Sequence, residues 1–445
     1  MDKEVKNIHI LGGGPAGMAS AYFAKENNIS FGLYESSNQI GGNCKTITEG
    51  DFKYDTGAHR LHDKDEEITK LIRSILNNDL LKVEAPSQIF LKGKLIDFPL
   101  NIKSIFKQLN WNDLQKIISE NMLNKFSGIK DPKTFLDMAN QKYGKTLSNL
   151  FLINYTEKLW GEKAGVLSTK VAGDRLKNLN LTSLLKSYFK GNRYNPKHLE
   201  GGFYYPKNGF GSIFESIETK LGIENIYLNS NVTKIYHDHG LIKEILINDS
   251  KKIKIKDKVL STLPLNYLLK ILNPKPPKEI QKLADGFQFR SLRICILYLN
   301  IKNFSKNASI YFPDKIFPFT RIYEPKNRSY KMAPHDKTCI VIEVPCHKND
   351  SVFNDSNKVF FENIKSLLIK NNLVNKQDII NESSIKVPFA YPILKTGIED
   401  EVKKALHYLE TFKNLNILGR NANFEYVHIH NLFRDAKKLI NQLNG

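Results

Sequence analysis

Apolar positions along this chain change their spacing several times, and each change predicts a different kind of element. Ile8-His9-Ile10-Leu11 and Phe31-Gly32-Leu33-Tyr34 are short apolar runs of the kind that buried strands carry, with a helix expected between them. Beyond residue 94 the period becomes helical. Ile102, Ile105 and Phe106, then Leu114, Ile117 and Ile118, then Phe135, Leu136 and Met138 recur at one-turn steps. Turn residues return at Gly201-Gly202 and Gly209-Phe210-Gly211, followed by strand-like runs at Ile226-Tyr227-Leu228, Val232-Thr233-Lys234-Ile235 and Val259-Leu260-Ser261-Thr262-Leu263-Pro264. Arg293-Ile294-Cys295-Ile296-Leu297-Tyr298-Leu299 and Cys339-Ile340-Val341-Ile342-Glu343-Val344 predict an antiparallel sheet, and the tail predicts a strand near Asn416-Ile417-Leu418 and a helix from about Asn431.

The first apolar run feeds directly into Gly12-x-Gly14-Pro15-Ala16-Gly17, and Glu35 stands at the end of the second. Glycines at this spacing allow a tight turn, a close backbone approach to a pyrophosphate, and tight helix-on-strand packing. The phosphates then meet a helix N-terminus, whose free N–H groups and dipole favour an anion, while Glu35 is placed to accept from a ribose diol. This pattern predicts an adenine dinucleotide ligand.

Composition narrows the partners. The chain carries 66 Lys and Arg against 46 Asp and Glu, a formal charge of +20. Such a balance suits nucleic acid or an anionic membrane, but the lysines are spread along the whole chain and no arginine-rich tract or aromatic-basic interleave occurs, so no nucleic-acid partner is expected. Only 10 of the basic residues are arginine, and an arginine inside a motif therefore carries extra weight, because its planar fork suits bidentate phosphate recognition. No uncharged apolar run reaches 18 residues, so no transmembrane segment is expected, and the early first strand leaves no room for a signal peptide; the expected location is cytoplasmic. Cys44, Cys295, Cys339 and Cys346 lack metal-ligand spacing, and no metal is expected at them or at His237 and His239.

After Glu35 come Gly41-Gly42-Asn43-Cys44 and then Gly57-Ala58-His59-Arg60. The order of Gly-rich turn, Glu, Gly-Gly and Gly-x-His resembles the flavoprotein superfamily of flavin amine oxidases, protoporphyrinogen oxidase and UDP-galactopyranose mutase. The resemblance implies FAD, bound by Gly12, Gly14, Pro15, Ala16, Gly17 and Glu35, with Gly41, Gly42 and Asn43 crossing the pyrophosphate, Gly57 and His59 beside the isoalloxazine, and Val232 against the adenine. It also implies an α/β fold: a Rossmann-like FAD-binding domain assembled from residues 1–93, 201–265 and 396–445, a mostly helical insertion over 94–200, and an antiparallel-sheet substrate domain over 266–395.

Later motifs are similar to the UDP-galactopyranose mutase branch. Phe98-Pro99-Leu100-Asn101 resembles the entry to the mutase helical region, Tyr155-Thr156-Glu157-Lys158-Leu159-Trp160-Gly161 precedes Gly173-Asp174-Arg175, Pro318-Phe319-Thr320-Arg321 resembles a second arginine-bearing strand, and Gly419-Arg420 with Tyr426 resembles an element closing over the flavin. The resemblance implies Arg175 and Arg321 on a substrate diphosphate, Tyr391 and Tyr426 in the active-site wall, and His59, Arg175, Arg321 and Tyr391 in catalysis. Trp160, Tyr204 and Tyr205 are read as core residues. The implied reaction interconverts pyranose and furanose forms of a nucleotide-diphosphate sugar through N5 of reduced FAD, in cell-surface polysaccharide biosynthesis, with NAD(P)H a candidate reductant. Arg60, where the mutases carry an apolar residue, and Tyr391-Pro392, shared with amine oxidase-like and protoporphyrinogen oxidase-like relatives, keep a second reading open: an oxidoreductase passing hydride from another small-molecule substrate to FAD.

Overall fold

The computed structural model describes residues 6–98, 109–127, 131–176 and 202–444. Pro99, Leu100, Asn101, Ile102, Ile105 and Phe106 lie outside the described residues, so the helical spacing expected there has no counterpart to compare. Five parallel strands form the first sheet in the order Leu415–Ile417, Lys258–Ser261, Asn7–Leu11, Ser30–Tyr34 and Ile226–Tyr227. Ile8, Ile10, Leu33 and Leu260 are fully buried, as expected of parallel strands covered on both faces. Helix Pro15–Glu26 packs against helices Ser212–Leu221 and Ile429–Asn444. Pro15 occupies the start of its helix, where its missing N–H is no loss. Gly17 is fixed by packing: a Cβ there would lie 1.9 Å from the Gly12 carbonyl oxygen.

A four-stranded sheet follows, in the order Lys251–Lys254, Leu241–Ile247, Val232–Asp238 and Leu272–Asn273. The largest sheet has seven strands: Ile379–Pro392, Phe289–Leu299, Thr338–Cys346, Arg321–Tyr323, Ser309–Tyr311, Ser87–Leu91 and Lys94–Phe98. Its pairs are antiparallel except that Ser309–Tyr311 runs parallel to Ser87–Leu91. Every residue of Phe289–Leu299 is buried, because both faces are covered. Alternation sends Leu292, Ile294, Ile296 and Tyr298 toward Tyr54 and Ala58, and sends Cys295, Leu297 and Leu299 toward Phe312, Phe317, Phe360 and Phe361. Each of these larger apolar side chains contributes roughly 1.5–3 kcal/mol by leaving water.

The mixed α/β architecture agrees with the sequence reading. Residues 87–98 hydrogen-bond into the seven-stranded sheet rather than the parallel one, so residues 1–93 divide, and we propose the end of the first segment at about residue 86. Helices Trp111–Ser127, Phe135–Tyr143 and Asn154–Trp160 occupy the stretch of helical spacing. Among the described residues, no helix is long and apolar enough to cross a membrane.

Replacing Gly17 by Ala forces its new methyl into the Gly12 carbonyl in the best-packed part of the parallel sheet. The expected loss is at least about 2 kcal/mol of stability, read as a lowered melting temperature; an unchanged melt would show that the turn is looser than its geometry.

Candidate active site

The carboxyl ends of the parallel strands open into one cavity of about 1190 Å³. Gly12, Glu35 and Thr262 follow three strands directly and Gly419 follows a fourth by one residue, and all four line it, the position where open α/β sheets place ligands. Its volume exceeds the roughly 300–1,000 Å³ of a pocket for one drug-sized ligand. There is room for a cofactor and a substrate.

At the parallel-sheet end, the Glu35 carboxylate is fixed by the chain itself. Oε2 accepts from Gly13 N at 2.8 Å, and Oε1 accepts from Ser37 N at 2.9 Å and Ser37 Oγ at 2.7 Å. Ser36 Oγ lies a further 3.4 Å from Oε1, so three donors crowd that oxygen, while Oε2, with one, keeps acceptor capacity for a ribose hydroxyl. The helix beginning at Pro15 has no side-chain cap and no acidic residue in its first turn, which leaves its N-terminal field to a ligand. Gly14 and Gly42 face each other across this entrance, and a Cβ on Gly42 would sit 2.9 Å from the Gly14 Cα. Val232 lines the same end.

The loop Gly57-Ala58-His59-Arg60 crosses the middle of the cavity and is held from three sides. Ala58 N donates to Glu343 Oε1 at 2.8 Å, Arg328 Nη1 donates to the His59 carbonyl at 2.8 Å, and Arg60 Nη2 donates to Ser87 Oγ at 3.1 Å and Ser309 Oγ at 3.0 Å. Arg60 thus ties the loop to the seven-stranded sheet. The His59 ring places Nε2 2.8 Å from the Asn43 carbonyl, which can only accept, so the proton belongs on Nε2; Nδ1 then faces Cys44 Sγ at 3.9 Å. Burial lowers the His59 pKa and pushes the Cys44 thiol up to about 12, so the pair is a neutral imidazole and a thiol. Both ring nitrogens have neighbours within the chain, which fixes the orientation of the ring in the loop.

Arginines and aromatic rings dominate the far end. Arg321 pairs across the sheet with Glu343: Nε donates to Oε2 at 2.9 Å, and Nη2 lies 2.8 Å from Oε1 and 2.6 Å from Oε2. Burial works against the guanidinium charge, but the facing carboxylate prevails and holds it well above the usual arginine range. Nη1 is the part of the fork left over. Arg420 lies with its guanidinium carbon 4.8 Å from the Tyr391 ring and 4.5 Å from the Tyr426 ring, and among the described residues its Nε and Nη2 find no partner. Trp160 closes the third side, its ring 5.9 Å from each tyrosine. Beyond them Tyr155 meets Tyr311 edge-on at 5.9 Å, and Phe98 and Phe151 complete an aromatic wall.

The sequence-derived residues therefore line one cavity, except Gly17, Gly41 and Arg175. Arg175 is the penultimate residue of the turn Thr169–Leu176 and its side chain lies outside the described residues. Trp160 is a core residue, as read, and also lines the cavity, whereas Tyr205 is fully buried and donates to Asp55 Oδ2 at 2.6 Å. Sequence reasoning missed Glu343, Tyr155 and Tyr311 as part of the site. Glu343 did leave a signal: it is the one charged residue within Cys339–Cys346, a run that is otherwise apolar.

Residues 15–341 match the family described as flavin containing amine oxidoreductase. The chain belongs to that family. It is an FAD-dependent enzyme of the amine oxidase superfamily. The protoporphyrinogen oxidase of Dictyostelium discoideum is 21% identical over 68% of this chain and 69% of its own length. A Klebsiella pneumoniae protein named probable UDP-galactopyranose mutase is 25% identical over 48% of this chain and 53% of its own. A solved structure of reduced UDP-galactopyranose mutase aligns over 99% of this chain and 95% of that one, with a TM-score of 0.85 at 20% identity, which establishes likeness of fold.

The residues present fit FAD. The uncapped helix start between Gly14 and Gly42 takes the pyrophosphate, and Glu35 has acceptor capacity for the ribose. A direct consequence concerns His59. Histidine-labelled NMR of the FAD-loaded protein should show it in the Nε2–H tautomer and still neutral at about pH 6.5, where an exposed histidine is half charged; a resonance titrating at that pH would contradict this assignment.

Proposed function

We propose that this enzyme acts on an anionic, nucleotide-linked sugar and rearranges it without net oxidation, in the manner of a UDP-galactopyranose mutase. The observation that carries this reading is the placement of Arg420. Two tyrosines facing each other across a flavin cavity could receive a substrate ammonium, but here the space beside both rings is taken by the chain's own cation. An amine substrate meets a positive charge there; a phosphate meets an unpaired fork.

Arg420 and the Nη1 edge of Arg321 bind the diphosphate and stabilise its charge as the sugar–phosphate bond opens. Arg175 is assigned to the same anion from its motif. Tyr155, Tyr311, Phe98 and Phe151 offer the flat apolar surface a nucleobase stacks on. Burial beside the Glu343 carboxylate pushes the Tyr391 phenol up to about 12, so it remains a hydrogen-bond donor at neutral pH and faces the sugar. Trp160, Tyr391 and Tyr426 together exclude water from the opened sugar. Reduced FAD, held by the Gly12–Gly17 turn, Gly42, Glu35 and Val232, supplies the nucleophilic nitrogen and returns unchanged. NAD(P)H remains the proposed source of its electrons, and polysaccharide biosynthesis the proposed setting.

UDP should perturb the flavin absorption spectrum of the purified protein. Dithionite-reduced protein should interconvert a UDP-hexopyranose and its furanose without oxygen. Arg321→Lys keeps the charge but loses the fork, and should weaken UDP binding by roughly 1.5–3 kcal/mol, tenfold or more, with FAD content unchanged. No UDP binding at millimolar concentration would sink the mutase reading and leave hydride transfer from a different substrate.

A further inference from the structure

We propose that Lys158 acts as a built-in monovalent cation, a positioning residue whose ammonium organises the turn that carries both Tyr311 and Arg321. The proposal rests on the reading of those two residues as substrate wall. Lys158 projects from helix Asn154–Trp160 into the turn between strands Ser309–Tyr311 and Arg321–Tyr323. Its Nζ lies 2.6 Å from the Phe312 carbonyl, 2.8 Å from those of Asp314 and Phe317, and 2.9 Å from that of Phe319. An ammonium has three N–H bonds, so four acceptors at these distances surround it as a charge rather than as a set of directed partners.

Of the four carbonyls, that of Asp314 also accepts from Phe317 N at 3.4 Å within the turn, and the other three converge on the ammonium. Their dipoles repel one another, and the phenyl groups of the same residues point away: Phe312, Phe317 and Phe319 pack on each other at 4.8–5.1 Å in the core behind the turn. The neighbouring carboxylates are engaged elsewhere. Glu157 faces Lys163 and Lys315 at 3.9 Å each, and Asp314 Oδ1 accepts from Ile316 N at 3.1 Å. Burial pulls the Lys158 pKa down to about 7 and Asp314 opposes that; the four carbonyl dipoles oppose it further.

The consequence reaches the site through short covalent paths. Tyr155 is one helical turn before Lys158 and packs on Tyr311, while Trp160 is two residues after it and packs on Tyr391 and Tyr426. One ammonium therefore sets the spacing between the helix bearing Tyr155 and Trp160 and the turn whose ends are Tyr311 and Arg321. The FAD-binding turn and Glu35 lie on the parallel sheet and do not depend on it.

Lys158→Ala removes the ammonium and leaves a four-carbonyl cage of the size that ammonium or potassium ions occupy. In choline chloride the variant should keep its FAD and bind UDP roughly tenfold or more weaker than wild type. Ammonium or potassium chloride should restore both its affinity and its melting temperature, while wild type responds alike to all three salts. Lys158→Met, which fills the space without charge, should be weakened and not rescued. Wild-type affinity in Lys158→Ala without a small cation, or a folded, FAD-loaded Lys158→Ala whose melting temperature ignores ammonium and potassium, would overturn the proposal. The melting measurement needs no substrate, so it decides the cage even if wild type binds no UDP. Should Lys158→Ala fail to fold in every salt, Lys158→Gln supplies two neutral donors to the same carbonyls: reduced UDP affinity with FAD retained supports the role of the charge, and full affinity overturns it.

Discussion

One buried carboxylate holds the active-site region together. Glu343 is 1% exposed, and it accepts the Ala58 amide and the Arg321 guanidinium at the same time. Taking a carboxylate and a guanidinium out of water costs several kcal/mol each, and the cost is offset only when geometry and additional hydrogen bonds are good. Here the cross-strand register places the two charges directly opposite each other, and the Ala58 N–H satisfies a further lone pair. The loop Gly57–Arg60 and the Arg321 guanidinium are thereby fixed to a single carboxylate of the seven-stranded sheet.

Other charged residues extend the same arrangement. Arg328, 2% exposed and stacked on the Tyr323 ring at 4.3 Å, holds the His59 carbonyl; Arg60 reaches across to Ser87 and Ser309; Asp55 gathers Thr46, Tyr205 and the Phe210 amide. Each is a buried or half-buried charge satisfied largely by neutral partners. Such groups tolerate few alternative packings, because an unsatisfied charge in the interior is costly. The parallel sheet supplies the dinucleotide cradle, and these polar ties bring the seven-stranded sheet to the cradle's open edge.

What was legible in the sequence was local in sequence. Gly12 to Gly17 and Glu35 show themselves through spacing, because the turn, helix start and second strand they serve are contiguous. Scarcity made Arg321 and Arg420 conspicuous. The Ala58–Glu343 hydrogen bond joins residues far apart in the chain and depends on strand register, which no local pattern encodes. His59 is visible in the sequence as a loop histidine, but its orientation toward Asn43 and Cys44 is not. Trp160 reads as core and is core, but apolar spacing alone does not show that one of its faces also lines the cavity. Strand Ser87–Leu91 was assigned by its place in the chain and instead joined Ser309–Tyr311, a pairing set by tertiary contact.

Glu343 serves the loop and Arg321 together, and hydrogen exchange at the Ala58 amide measures that most directly. In FAD-loaded Glu343→Ala the amide loses its acceptor, and its exchange should be about tenfold faster or more than in wild type, the equivalent of one lost hydrogen bond of about 1.4 kcal/mol. Exchange at Ala58 equal to wild type, in a variant that is folded and carries its flavin, would show that the loop is held by something other than this carboxylate.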